Sequence, residues 1–443
     1  MENTSRWSSR LNFILATTGA AVGLGSIWKF PYMVGSNGGG AFVLVLILAT
    51  MFIGIPVMMA EILIGRLTRA NPINALKQLA IKENRTIAWQ FLGWWGALAL
   101  ILVLSFYSVI AGWSIAYILK TWSGSLTNLN PEQITKFWYK FLNNPLELML
   151  WHSIFMITTM WVVAKGVQSG LEKASKIMMP GLFVVLIILM GYSAYAGNFA
   201  EAIDFLFTPD FSKLTPSAIS NALGQAAFSL AIGAGCMLTY GCYIEDNTKI
   251  GLNSCIIASL VMIVSLLSGL AIFPIVFASH LSPEGGPGLM FKVLPIAFNQ
   301  MPCGTLFGGL FFLMLWFAAW TSSISMAEPL VIILIEQLHL SRTKSSWIVG
   351  SITWSFGLLA LFSFNILKDI KLFGRYDLFS TMADFATNVI LPTGALGFAV
   401  FAGWCIKPET AMQAMNIQQS AFLLWKYSVR CIAPIGIIVI MIC

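Results

Sequence analysis

Three glycines fall within seven residues of an apolar run that is long enough to cross a bilayer. They are Gly19, Gly23 and Gly25 in GAAVGLGSIWKFP, residues 19–31. Glycine makes the backbone pliable and permits close approach of another group. A membrane helix can be interrupted only where its freed N–H and carbonyl groups are buried in protein or face a cavity. The pattern therefore predicts a ligand site near the middle of the membrane.

A second glycine-interrupted stretch, SLAIGAG at residues 229–235, lies in the sixth apolar segment of the chain. Interrupted segments at matching places, five helices apart, indicate a transporter made of two inverted repeats with its binding site at the midplane. The alternative is close helix packing through small residues, as in Gly19-x-x-x-Gly23. Because the two stretches match in position, the pair favours the transporter.

Sequence motifs of enzymes are not found. The chain contains no glycine-rich phosphate loop, no HExxH and no GxSxG elbow. His152, His280 and His339 share no metal-ligand spacing. The seven cysteines form no CxxC pair, which is typical of small apolar packing residues. We therefore do not expect an enzyme.

The composition is that of a membrane protein. The 443 residues are 58% hydrophobic and 10% charged, with a mean hydropathy of +0.82, whereas soluble domains have about 25% charged residues. This predicts an all-α polytopic protein embedded in the lipid bilayer. The formal charge of +7 is scattered over short connections, so it fits membrane topology and we expect no nucleic-acid partner.

Eleven segments have the roughly 20 apolar residues that a span needs. They lie at about residues 11–32, 41–65, 88–119, 149–164, 177–197, 218–243, 253–279, 305–337, 346–363, 379–404 and 421–442. The distribution of basic residues predicts a cytoplasmic N-terminus and an outside C-terminus, although the basic loop at 364–378 runs against this bias. Residues 1–197 and 198–404 would form the two repeats, and 405–443 an appended helix.

Several longer motifs resemble one family, the neurotransmitter:sodium symporters, and specifically its bacterial amino-acid transporters. The motifs are AAVGLGSIWKFPY, NGGGAF at 37–42, Glu61 with Gly65 and Arg66, GQAAFSLAIGAG at 224–235, LAIFP at 270–274 and FAAWTSSISMAEP at 317–329. The resemblance runs from Arg6 to about Trp404. It implies a LeuT-type fold of two five-helix inverted repeats, with broken helices 1 and 6, and alternating access driven by sodium.

The resemblance also implies a substrate site at the first break. A substrate carboxylate would bind the backbone N–H groups of Leu24 and Gly25, where a half-helix begins and its dipole is positive, and the hydroxyl of Tyr107. Monoamine-transporting relatives carry an aspartate where this chain has Gly23, so we expect the substrate to bring its own carboxylate.

The remaining substrate-contacting positions are mostly small and apolar. They are Ala20, Ala21, Gly23, Val103, Phe228, Ser229, Ala231, Ala234, Ser322 and Met326. A roomy apolar pocket predicts a medium or large neutral amino acid, aliphatic or aromatic, although Met326 can adapt its shape to other substrates.

The second sodium site of the family has all its positions preserved. Its ligands would be the carbonyl oxygens of Gly19, Val22 and Ala318 with the hydroxyls of Thr321 and Ser322, which are the oxygen ligands that a hard cation prefers. The alternative is that these hydroxyls only bond back to the preceding turn of their own helix. Their pairing with an intact first break favours the sodium site.

The first sodium site, in contrast, is depleted of oxygen ligands. The family's side-chain ligands map to Ser26, Ser229 and Val261, and a valine offers no oxygen. The carbonyl of Ala21 could remain a ligand. We expect the first sodium to be weakly bound or lost.

A chloride site is only half present. Chloride-dependent relatives use a tyrosine and a serine where this chain has Leu46 and Ser265, with Gln225 and Ser229 nearby. We therefore expect no chloride dependence.

The resemblance also suggests gates on both sides of the membrane. On the outside, Lys29 would replace the family's arginine and pair with Asp384, although lysine lacks the bidentate fork of arginine. On the inside, Glu336 would be the gating acid with Tyr243 as its neighbour, and Arg6 would replace the arginine that is absent at Thr4.

Two further acids, Glu61 and Glu328, match buried family positions. Intramembrane acids are usually paired or lie on a water-filled path. We interpret these two as members of a structural network with water or backbone, rather than as proton carriers.

Two functional hypotheses follow. The first is sodium-coupled import of a neutral amino acid across a bacterial inner membrane by alternating access. The second is an amino-acid sensor that kept the fold and the binding site but lost net transport, which the altered gates and the depleted ion site make conceivable.

Overall fold

A computed structural model describes residues 6–281, 288–372 and 376–442. Its helices, several of which contain short π-helical turns, are α1 (Arg10–Ala21), α2 (Gly25–Ser36), α3 (Gly40–Thr68), α4 (Pro72–Lys82), α5 (Ile87–Trp122), α6 (Pro131–Leu142), α7 (Pro145–Ala164), α8 (Val167–Ala196), α9 (Phe199–Phe207), α10 (Pro216–Ser229), α11 (Cys236–Cys242), α12 (Ile250–Ala278), α13 (Leu289–Asn299), α14 (Gly304–Leu338), α15 (Arg342–Phe362), α16 (Leu378–Cys405), α17 (Pro408–Met415) and α18 (Gln419–Val439).

Local sequence explains where many helices begin. Asn71, Asn130, Asn144 and Thr215 each precede a proline, and the side-chain oxygen of each accepts a hydrogen bond from a backbone N–H of the first turn. Such a residue satisfies a donor that has no partner within the helix, and proline is suited to the first helical position. These helices therefore start at the proline.

Nine helices in the described residues are long and apolar enough to cross a membrane, and α1 with α2 makes a tenth span with a bend of 54°. The sixth predicted segment consists of the shorter helices α10 and α11. Ten of the expected segments are therefore long and apolar enough to span among the described residues, and the sixth is present as two shorter helices separated by residues 230–235.

Both predicted breaks are present. The first lies between α1 and α2, at residues 22–24, and the second between α10 and α11, at residues 230–235. In the second, Ala231, Gly233 and Gly235 all have positive φ, of 51°, 93° and 82°. Glycine tolerates this backbone conformation freely, which explains why a glycine-rich stretch interrupts the helix here.

The second half of the broken sixth helix, α11, packs backbone to backbone against α3. A Cβ at Gly65 would overlap the carbonyl oxygen of Leu238, and a Cβ at Gly241 would overlap that of Ile62. Glycine at these two positions therefore allows α11 to lie directly on α3, close to the broken first helix.

The fifth span begins about ten residues earlier than the sequence predicts, at Val167 instead of 177. The additional turns are polar, and their Glu172 accepts hydrogen bonds from the Ser8 N–H at 3.1 Å and the Asn12 Nδ2 at 2.6 Å. Contacts with the start of α1 thus stabilise turns that hydropathy alone does not identify as part of a span.

Candidate functional site

A cavity lies where the two broken helices meet α5, α14 and α16, and it encloses about 480 Å³ of empty space. All predicted substrate-contacting residues except Leu24 and Ser229 line it. The lining residues are Ala20, Ala21, Gly23, Gly25, Leu100, Val103, Tyr107, Phe228, Ala231, Ala234, Cys236, Ser322, Met326 and Leu391. Part of this space is open to solvent.

The polar end of the cavity is formed at the first break. The backbone N–H of Leu24 donates a hydrogen bond to the Tyr107 hydroxyl at 2.9 Å. A Cβ on Gly23 would overlap both the Tyr107 hydroxyl and the Ser322 hydroxyl. The lack of a side chain at Gly23 is therefore what lets these two hydroxyls approach the broken backbone.

Three lining residues were not predicted from the sequence: Leu100, Cys236 and Leu391. Leu391 belongs to α16, which comes close because Gly394 lies against the carbonyl of Gly233. Leu100 lies outside the motifs, and Cys236 directly follows one. Of these three residues, only Leu391 had a signal in the sequence. That signal was the pair Gly233 and Gly394, which lets α16 approach the second break.

The predicted ligands of the second sodium site lie close together. The Ser322 hydroxyl donates to the carbonyl oxygen of Gly19 at 3.1 Å, and the Thr321 side chain lies against Gly19. The Thr321 hydroxyl itself bonds back to its own helix, to the carbonyls of Phe317 and Ala318 at 3.1 Å, as the alternative interpretation expected for this residue. Val22 is the C-cap residue that directly follows α1. These candidate ligands are neutral carbonyl and hydroxyl oxygens, which suit an alkali cation.

The region of the first sodium site is partly hydrogen-bonded, but the hydroxyl of the predicted ligand Ser26 and the Oε1 of Gln225 are buried without a hydrogen-bond partner among the described residues. Gln225 Nε2 donates to the carbonyl oxygen of Gly25 at 2.8 Å and to the Ser229 hydroxyl at 3.0 Å. The Ser268 hydroxyl donates to the carbonyl of Ser26 at 2.9 Å. Val261 is buried.

At the outer end of the first broken helix, Lys29 is half-buried and its ammonium lies 4.6 Å from the centre of the Phe228 ring. This is a cation–π contact. Asp384 is exposed and interacts with Lys29 electrostatically, but no ion pair between them is found among the described residues. The expected outer pair is thus separated, and the lysine lies instead on the aromatic ring above the cavity.

The inner gate has a different pairing from the one expected. Arg6 lies 3.8 Å from Asp246, which also binds Arg69 at 2.6 Å. Glu336 accepts hydrogen bonds from the Asn71 backbone and side chain at 3.2 and 2.6 Å. Arg6, the expected substitute for the absent arginine, thus lies beside Asp246, while Glu336 is bound by Asn71, the residue that caps α4. Thr4 lies outside the described residues.

The predicted neighbour of Glu336, Tyr243, is also elsewhere. Its hydroxyl donates to Glu328 at 2.9 Å, and Glu328 is fully buried and forms an ion pair with Arg342. Glu328 is therefore bound by two side chains, whereas the sequence analysis expected water or backbone partners.

Glu61 has the expected backbone partners. Its Oε1 accepts a hydrogen bond of 2.6 Å from the N–H of Gly233, in the second break. The carboxylate also interacts with N–H groups of Gly235, Met237 and Leu238 at the start of α11. A negative group is stabilised at a helix N-terminus, so Glu61 joins α3 to the second break.

Comparison with known proteins places this architecture in one family. The model of the sodium:neurotransmitter symporter family matches residues 4–140 and 140–443. The chain belongs to the sodium:neurotransmitter symporter family. It is 41% identical to an uncharacterized sodium-dependent transporter of Bacillus subtilis, YhdH, over 98% of this chain and 96% of that protein. A sodium-dependent transporter of Haemophilus influenzae is 34% identical over 98% and 97% of the two chains.

A solved symporter has the same fold. The crystal structure of MhsT in complex with L-phenylalanine matches with a TM-score of 0.92 and 38% identity, covering 99% of each chain. The LeuT-type fold predicted from the sequence is confirmed. The protein is a member of a family of sodium-dependent membrane transporters, which are not enzymes.

Proposed function

We propose that this symporter imports a neutral amino acid with a free carboxylate, using the sodium gradient. The observation that carries the proposal is the cavity at the two breaks, where the N–H of Leu24 and the hydroxyl of Tyr107 lie at the polar end of an otherwise apolar space. A carboxylate can accept from both donors once the hydrogen bond between them opens. Donors at a half-helix start stabilise an anion without a buried positive charge.

The substrate side chain would be medium-sized or large and apolar. Ala20, Ala231 and Ala234 line the cavity with small side chains that leave space for a substrate. Leu100 and Leu391 add apolar surface to its wall. The likeness to MhsT, whose crystal structure contains L-phenylalanine, supports an aromatic or large aliphatic substrate. We propose phenylalanine and leucine as the first compounds to test.

Coupling would rest mainly on one sodium ion. Ser322 and Thr321 bring hydroxyls to the carbonyls of Gly19 and Ala318, and these oxygens would hold sodium between the first broken helix and α14. With the carbonyl of Ala21 and the hydroxyls of Ser26 and Ser229 as its remaining candidate ligands, the first site would be weak or lost. Leu46 gives no ligand for chloride, so transport would not require chloride.

The protein would work in the plasma membrane of a bacterium, with its N-terminus in the cytoplasm and its C-terminus outside. Residues 1–197 and 198–404 would be the inverted repeats whose relative movement exposes the site to each side in turn. Lys29, with Phe228 and Asp384, would close the outer path. Arg6 with Asp246 would close the inner one.

Uptake into proteoliposomes tests the proposal. Labelled phenylalanine should accumulate when sodium is high outside, and it should not accumulate when potassium replaces sodium. Replacing chloride by gluconate should leave the rate unchanged. Uptake that is indifferent to sodium would contradict the coupling, and saturable phenylalanine binding without net flux would identify the sensor instead.

A further inference from the structure

A groove lies on the outer surface of the helix bundle, between α7 and α15. It has about 560 Å³ of space, part of which is open to the surroundings. Both helices are long and apolar enough to cross a membrane, and Ile157, Trp347 and Ser351 on the groove are exposed. Its open side would therefore face the hydrocarbon of the bilayer. The lining residues are Ser153, Met156, Ile157, Met160, Trp347, Gly350, Ser351 and Trp354.

Two contacts between the helices give the groove its shape. At the floor, Gly350 lies against α7, because a Cβ there would be only 2.5 Å from Met160 Cγ. At one end, Trp354 Nε1 donates a hydrogen bond to the Ser153 hydroxyl at 3.0 Å. Ser153 and Met160 are two helical turns apart, about 10 Å along α7. The groove can therefore hold a stretch of an extended hydrocarbon chain.

The other end of the groove is positively charged. Arg342 Nε donates to the carbonyl oxygen of Val163 at 2.9 Å, so the last turn of α7 meets the first turn of α15 at this end. Lys165 directly follows α7, and Lys344 lies in the first turn of α15. Both lysines are exposed, and neither forms an ion pair within the described part of the chain. Two uncompensated positive charges therefore flank one end of an apolar groove.

The same end has the features of a membrane interface. The ring of the exposed Trp161 lies 3.2 Å from Lys165 Nζ, and tryptophan is enriched at the level of the lipid headgroups. The first N–H groups of α15 point toward this end, and a helix start stabilises a phosphate. The distribution of basic residues predicts that the end is cytoplasmic. A lipid phosphate would therefore meet both lysines and the helix start.

We propose that the groove binds one anionic phospholipid, with an acyl chain between α7 and α15 and its phosphate at Lys165, Lys344 and the start of α15. An apolar groove alone would accept the chain of any lipid, and the two lysines add the preference for a negative headgroup. A basic residue near the membrane surface increases the affinity for anionic lipid about fivefold. The groove shares no lining residue with the substrate cavity, so this inference does not depend on the proposed transport.

Lipid binding to the purified full-length protein tests the proposal. Native mass spectrometry of the delipidated protein, titrated with dioleoylphosphatidylglycerol or dioleoylphosphatidylcholine, gives the affinity for each lipid. We expect one phosphatidylglycerol molecule to bind at least about tenfold more tightly than phosphatidylcholine. The double substitution Lys165→Gln with Lys344→Gln should lower the phosphatidylglycerol affinity at least about tenfold and leave that for phosphatidylcholine unchanged.

Two further variants separate the charge from the groove. Lys77→Gln with Lys82→Gln removes the same charge from exposed positions on α4 and should leave the binding of both lipids unchanged. Ser351→Phe keeps Lys165 and Lys344 but fills the groove with a ring. Because Ser351 is exposed, we expect this variant to fold, and it should lose the tight phosphatidylglycerol site.

Several results would overturn the proposal. They are equal affinities of the wild type for the two lipids, an equal loss of binding in the α4 control, and tight binding that persists in Ser351→Phe. Competition by glycerol phosphate, which has the charge but no acyl chain, would show an anion site without a role for the groove. A dimer that persists without lipid and dissociates in Ser351→Phe would identify the groove as an interface between two copies instead.

Discussion

The hydroxyl of Ser322 on α14 donates a hydrogen bond to the carbonyl oxygen of Gly19 on α1, at 3.1 Å. Gly19 is in the last turn of α1, just before the first break. The contact joins a long continuous helix to the inner half of a broken one. An ion bound between these oxygens would therefore link the conformation of the first helix to sodium concentration.

Thr321 allows the sodium site to be tested without disturbing the cavity, because its hydroxyl faces Ala318 and does not line the substrate space. Thr321→Val keeps the shape and removes one oxygen. We expect the sodium concentration for half-maximal uptake to rise at least about tenfold, from a loss of 1–2 kcal/mol. Ser323→Ala is the control, since that buried hydroxyl has no hydrogen-bond partner, and an equal effect there would refute the site.

Tyr107 tests the carboxylate end of the cavity. Tyr107→Phe leaves the N–H of Leu24 without its 2.9 Å partner and removes a donor to the substrate. The KM for phenylalanine should rise about 10- to 100-fold, while the sodium Hill coefficient should not change. Tyr117→Phe, on the same helix within an aromatic cluster, should have little effect, and a wild-type KM in Tyr107→Phe would contradict the assignment.

The size of the pocket can be tested at Ala20, which lines the cavity. Ala20→Leu adds three carbons to the wall and should exclude large side chains first. We expect the affinity for phenylalanine to fall at least about tenfold, because overpacking typically costs 1–3 kcal/mol, and that for alanine to change much less. Competition uptake with the two amino acids measures this, and an equal loss for both would argue against side-chain selection here.

The Asp246 carboxylate lies in the loop between α11 and α12, and its hydrogen bond with Arg69 lowers its pKa. A carboxyl whose pKa is lower when folded contributes stability above its unfolded pKa, near 4, and this contribution is lost as pH falls through the lower folded value. Asp246→Asn should therefore reduce thermal stability equally at pH 7 and pH 5.5, by less than about 1 kcal/mol because the pair is exposed. A difference between wild type and variant that does not shrink as the pH falls below 4 would contradict this origin.

Much of the architecture follows from short-range features of the chain. Hydropathy identifies the spans because lipid requires long apolar helices. The glycines around residue 23 and residue 233 identify the two breaks, since glycine accepts both positive φ and close contact. Those features predicted a helical membrane protein with two breaks, whereas the LeuT-type fold and most of the residues that line the cavity were implied by the resemblance of longer motifs to the family.

The pairings at the gates could not be predicted in the same way. Arg6 meets Asp246 and Glu336 meets Asn71, and neither Asp246 nor Asn71 belongs to the motifs from which the gates were inferred. Partner choice depends on which donors the loops bring within about 3 Å, and loop positions are set by packing between distant segments. A side chain as long as arginine can reach several such partners.

The sequence by itself determined that this is a polytopic helical transporter with two interrupted helices, because hydrophobic length and glycine placement are local properties of the chain. Only the tertiary structure decided that Gln225 joins the two breaks, that Leu391 and Cys236 complete the cavity, and that Lys29 lies on Phe228. Each of these contacts joins residues far apart in the sequence. Their distances depend on how whole helices pack, which no local pattern encodes.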